Sequence, residues 1–159
     1  MMKLSTIVKV LGLILFSIAF AYIESAVVVY LRAIFYPDGF SFPLTEFGIQ
    51  ISPLWKRLIL TEIGREAATL VLILTGAWLF SEKTANRWAA FLIIFAVWDI
   101  FYYVWLKVLL DWPATILDWD ILFMIPMVWA SPVIAPMMVS LMMFIFAMLI
   151  LNISDRDKE

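Results

Sequence analysis

The residues that could do chemistry in this chain are carboxylates, set where so apolar a sequence can least accommodate them. Glu62 and Glu66 stand four apart, with Arg65 between them, inside an apolar run from Leu54 to Phe80. On a helix that spacing puts both carboxylates on one face with the guanidinium beside them. Glu24 interrupts a second apolar run, Val10 to Leu31. Asp99 lies in Trp98-Asp99-Ile100-Phe101-Tyr102-Tyr103, and Asp120 in Leu117-Asp118-Trp119-Asp120-Ile121. Tyr102 and Tyr103 follow Asp99 by three and four residues, so a helix brings both to its face.

The chemistry open to these groups is narrow. The chain has no cysteine and no histidine, which excludes thiolates, disulfides, haem held by His and zinc sites of the Cys/His type. Carboxylates on facing helices are the ligands of bundle sites for two irons or manganeses, and an all-oxygen shell also suits Mg²⁺ or Ca²⁺. The first expectation is therefore a divalent metal (Mn, Fe, Mg or Ca) held by Glu24, Glu62, Glu66, Asp99 and Asp120. Arg65 would be the internal counter-charge, and Tyr102 or Tyr103 would hold a carboxylate in place. Asp118, two residues from Asp120, points elsewhere. The five methionines from Met137 to Met148 read as packing or lipid-facing residues, because no His or Cys supports a copper site.

The elements that must position these groups are transmembrane helices. Of 159 residues 65% are hydrophobic and 15% charged, and the mean hydropathy is +1.03, outside the range of soluble domains. Ala19-Phe20-Ala21 has the small-residue spacing of a signal-peptidase site, but the apolar run continues past it through Val27-Val28-Val29 and so reads as a span. The fold expected is all-α: a polytopic membrane bundle, one domain over 1–159, with spans near 6–30, 54–80, 88–110 and 133–151. Pro113, Pro126 and Pro132 break the segment between the last two spans, read as a broken or re-entrant helix over 113–130. If that segment crosses as well, there are five spans. Ala21/Ser25 and Gly64/Ala68 are small pairs that let helices approach closely. Trp55, Trp78, Trp88 and Trp112 fall near span ends as a belt, whereas Trp98 and Trp119 adjoin acids and could wall a site. The apolar loop before Pro53 is expected to lie on the membrane surface or cap the bundle, and the tail from Asn152 to be solvated.

A depth count joins the two levels. Measured from one membrane face, Glu24 is about eleven residues deep, Glu62 and Glu66 about eight and twelve, Asp99 about eleven and Asp120 about seven. At ~1.5 Å per residue the acids share a level to within one or two turns. Five carboxylates cannot all be ionised there without Arg65, Arg32, protons or a metal to neutralise them.

Three functions follow: a membrane-embedded metal-binding protein or metalloenzyme, a proton- or cation-conducting transporter or channel, and a non-catalytic subunit of a larger membrane complex. The bland alternative is a structural network in which Arg65 clamps the acids. The bilayer is the expected partner, with a homo-oligomer or larger complex around it. The net charge of −2 gives no footprint for nucleic acid. Lys3, Lys9, Lys83, Arg87, Arg156 and Lys158 lie on one side of a four-span chain, against Arg32, Lys56, Arg57 and Lys107 on the other. That bias places both termini in the cytoplasm, for an inner-membrane protein.

Overall fold

A computed structural model describes residues 3–36 and 53–156, without side chains for 53–55. The apolar loop, the side chain of Trp55 and the end of the tail lie outside the described residues. Four helices, α1 (Leu4–Phe35), α2 (Pro53–Phe80), α3 (Thr84–Leu110) and α4 (Ile134–Arg156), are interrupted by two strands, β1 (Trp119–Phe123) and β2 (Trp129–Pro132). Among the described residues α1, α3 and α4 are long and apolar enough to cross a membrane. At ~1.5 Å per residue they reach beyond the ~30 Å hydrocarbon core. Their outward faces carry large apolar side chains such as Leu11, Leu15, Leu141, Met142 and Phe146, a surface suited to lipid.

Helix α3 is the axis of the bundle, packed against α1, α2 and α4. Its first half is lined with small and β-branched residues: Ala89, Ala90, Ile93, Ile94 and Ala96 are fully buried. Ala90 and Ile94 meet Phe20, Ala21, Ile73 and Ala77 of α1 and α2. Ala89 and Ile93 meet Val10, Ala147 and Leu151 of α1 and α4. Small side chains let these backbones come close, the means by which membrane helices associate without a hydrophobic driving force. At the same end the Lys3 backbone N–H donates to Asp155 Oδ2 at 2.9 Å, joining the start of α1 to the end of α4. The tail is accordingly not all solvated: α4 runs through Arg156, and Ser154 and Asp155 are buried.

The close-packing expectation holds for one pair and fails for the other. Ala21 and Ser25 are fully buried, and the Ser25 hydroxyl donates to Ala21 O at 2.8 Å and to Tyr102 O of α3 at 3.1 Å. Gly64 and Ala68 are exposed, and nothing stands within 4 Å of where a Gly64 Cβ would be.

The segment 113–130 is the main correction. It is no broken helix. After α3 ends at Asp111, in the left-handed conformation with φ 54°, the chain turns and forms an antiparallel hairpin in which Trp119 pairs with Pro132, Asp120 with Ser131 and Ile121 with Ala130. Helix is disfavoured because Pro126 and Pro132 would each cost about 3 kcal/mol in a helix interior, while Trp119, Ile121, Phe123 and Trp129 favour a pleated surface. Pro132 closes the end of a two-strand ladder, where a missing N–H matters least. Strand alternation then decides the fate of neighbours: Asp120 turns inward, 3% exposed, and Trp119 outward, 46% exposed. Trp119 therefore walls nothing.

Candidate functional site: an acidic cavity at one end of the bundle

At the end opposite the chain termini, the last third of α1, the first half of α2, the second half of α3 and strand β1 surround a cavity of about 170 Å³. Glu24, Glu62, Glu66, Asp99 and Asp120 all line it, with Arg32, Arg65, Tyr102 and Tyr103. The topology explains the gathering. Helices α1 and α3 arrive at this end and α2 departs from it, so residues about ten positions from each terminus share a level. Helices α1 and α2 both lie on α3 without packing closely on each other along their length. The gap between them is bridged by side chains.

Each carboxylate has its own arrangement. Arg65 pairs with both Glu24 and Glu62, tying α2 to α1, and Glu24 also accepts from the Thr69 hydroxyl at 3.0 Å. Arg32 donates to Asp120 Oδ1 at 3.3 Å and lies over the Trp112 ring, 3.8 Å from its centroid. Trp112 is thus a platform for Arg32 as well as a residue at a helix end. Both oxygens of Glu66 accept from the Met124 backbone N–H, at 3.1 and 2.9 Å, which ties α2 to the end of β1. Asp99 Oδ2 accepts from the Ser140 hydroxyl of α4 at 2.8 Å. Asp118 is exposed, as its offset from Asp120 requires. It caps the turn before β1 by accepting from the N–H groups of Ala114 and Thr115, bonds that hold its carboxyl below the usual range.

Asp120 is the acid of the cavity that lies outside the helices. Burial pushes its carboxyl up to about 6 against the opposing pull of Arg32. The Tyr103 hydroxyl approaches it, yet Asp120 Oδ2 itself is buried without a hydrogen-bond partner, and so is the indole N–H of Trp98. Trp98, flagged beside Asp99 as a possible wall, does line the cavity. Ser140, Thr69 and the Met124 amide are the partners that residue types alone did not announce. A single Ser amid the apolar run 133–151 was the available signal for the first.

For a metal the arrangement is poor. Among the described residues no group of three or more Asp, Glu, His or Cys side chains is placed to hold an ion. The carboxylates are turned instead toward Arg65, Arg32, Ser140 and the Met124 amide, which occupy lone pairs that a metal would need. What the cavity can do chemically is hold positive charge, for it opposes five carboxylates with two guanidiniums.

No family model matches the chain, and neither does any curated protein or any solved structure.

Proposed function

We propose that the chain is a four-span integral membrane protein, with both termini in the cytoplasm, whose acidic cavity takes up protons or a compact cation as part of a transport or conduction cycle. One observation carries this reading: two arginines answer five carboxylates in one buried cavity. Three of those acids share the two guanidiniums, whereas Glu66 and Asp99 have neutral donors. A surplus of up to three negative charges at low dielectric has to be met by protons or a bound cation. Intramembrane acids of this kind mark ion and proton pathways. The position of the cavity, at one end of the bundle and between two helices that do not close on each other, suits a site that must load and unload.

Purified protein in liposomes loaded with a pH-sensitive dye tests the proposal. With a proton gradient, and separately with gradients of small cations, the wild type should dissipate at least one gradient faster than empty liposomes. Asp99→Asn should slow that flux by tenfold or more. Flux equal to that of empty liposomes under every gradient would refute the transport reading. Stoichiometric metal by elemental analysis would restore the metalloprotein reading in its place. Docking into a larger complex draws on a separate observation, the exposed Gly64 and Ala68 of α2, and would be seen as co-purifying partners.

A further inference from the structure

The cavity is one donor and one acceptor short of closure. The indole N–H of Trp98 and Oδ2 of Asp120 have no hydrogen-bond partner, although the two residues are only 7% and 3% exposed and line the same cavity. Buried polar groups are nearly always paired, and leaving one unpaired is costly. These two atoms therefore mark where a cavity occupant bonds. Its chemistry is constrained on three sides. It donates to a carboxylate, it accepts from an indole N–H, and it brings positive charge to a surplus of acids. The walls add a fourth constraint, since Trp98, Tyr102, Tyr103 and Phe123 offer ring faces that favour an organic cation over a hydrated metal. The 170 Å³ of space is roughly five to six times the ~30 Å³ of a water molecule, room for a small cation.

We infer that the cavity binds a compact primary ammonium bearing an oxygen acceptor, an amino alcohol free or at the head of a lipid. Its N–H groups face Asp120 Oδ2 and its oxygen faces the Trp98 indole. The inference rests on the acidic cavity proposed above and names the class of its cation. Glu66 and Asp99 stand by as the carboxylates that carry no guanidinium. The gap between α1 and α2 gives a side route by which a lipid headgroup could reach the same atoms.

The test is isothermal titration of ethanolammonium into full-length protein in phosphatidylcholine nanodiscs. Two controls run alongside: ethylene glycol, which lacks the charge, and tetramethylammonium, which lacks the N–H. Ethanolammonium should bind saturably at one site, and both controls at least tenfold more weakly. Trp98→Phe keeps the ring, removes the N–H and should weaken binding by roughly three- to tenfold, the worth of one hydrogen bond. Asp120→Asn should abolish it, and Trp98→Phe stands as the second variant should the loss of the Arg32 partner prevent folding. Nanodiscs containing phosphatidylethanolamine separate the sources: masked binding identifies the lipid headgroup, and unchanged binding identifies the free amine. No saturable binding in phosphatidylcholine, or binding indifferent to Trp98→Phe, means that water alone fills the cavity and overturns the inference. If cation or proton flux persists in that case, only this inference falls. If flux is also absent, the acidic-cavity reading falls with it.

Discussion

Replacing Arg65 by methionine isolates what the internal counter-charge contributes. Arg65 is the cation for both Glu24 and Glu62, and the side chains are 23%, 6% and 16% exposed, respectively. Methionine keeps most of the length and apolar stem but removes the fork, leaving two largely buried carboxylates opposite nothing positive. Breaking a buried pair by removing one partner costs ~3–5 kcal/mol, because the remaining charge is stranded. Two features pull the value toward the lower end. Arg65 retains some solvent access, and Glu24 keeps the Thr69 hydroxyl. A loss of ~3 kcal/mol corresponds to a drop in melting temperature of roughly 6–12 °C for a chain of this size. The assay is thermal unfolding in detergent, followed by circular dichroism. The decisive comparison is the triple variant Arg65→Met, Glu24→Gln, Glu62→Gln, which removes the stranded charges together with their partner. It should recover most of the loss, since a buried ionic group replaced as a whole is often near neutral. Arg65→Met melting within about 2 °C of the wild type, or a triple variant no better than the single one, would show that this network does not hold α1 to α2.

Ser140→Ala removes the hydroxyl that Asp99 Oδ2 accepts from at 2.8 Å, a bond to a charged acceptor worth ~1.5–3 kcal/mol. A melting temperature lowered by roughly 3–12 °C is expected. Glu66→Ala frees the Met124 amide, so hydrogen exchange over residues 119–132 should speed by about tenfold or more while the middle of α3 is unchanged. Gly76→Ala should be neutral or stabilising by up to ~1 kcal/mol. Its new methyl would meet only Ile94 Cδ1, at 3.6 Å, and alanine is the better helix former. Asp120 makes stability depend on pH in a defined direction. Its folded-state carboxyl titrates near 6, above its ordinary 3.8, so the folded state binds the proton more tightly. The associated stability is complete below about 3.8 and is lost as pH rises through about 6. In Asp120→Asn that part of the slope in melting temperature should vanish.

The acids were legible in the sequence because depth along a helix converts at a fixed rise per residue. Glu24, Glu62, Glu66 and Asp99 could be placed from helix ends alone, and the inward face of α2 followed from Glu66, Thr69 and Ile73, which are all buried. Asp120 reached the cavity by a different route from the one expected. The count assumed a helix from Pro113, whereas β1 turns the residue inward by strand alternation. The hairpin itself was illegible because strand pairing is non-local, and three prolines in an apolar run announce a break without saying what replaces it. Partners such as the Met124 amide have no residue-type signature at all. The metal expectation went astray for a related reason: shared depth fixes height along the bundle and says nothing of the direction in which each carboxylate points.

The shape of the cavity traces to a gradient along α3. Toward the chain termini its contacts are made by Ala89, Ala90, Ile93 and Ile94, and the neighbouring helices close in. Toward the other end they are made by Trp98, Tyr102 and Tyr103, whose bulk holds the neighbours apart. Helices spread by large side chains leave a void, and a void in a membrane bundle has to be spanned by groups longer than a methyl. Arg65 reaching to Glu24, Arg32 to Asp120, and Glu66 to the Met124 amide are those groups. A division of labour follows. The guanidinium-paired acids are committed to holding α1, α2 and the hairpin in place, and a change in their charge would open the structure. Asp99 and Glu66 are held by neutral donors, which bond a carboxylate without cancelling its charge. Variants at these two positions should therefore act mainly on uptake of positive charge, and variants at Arg65 or Arg32 mainly on stability. The two groups of substitutions should separate when flux is plotted against melting temperature.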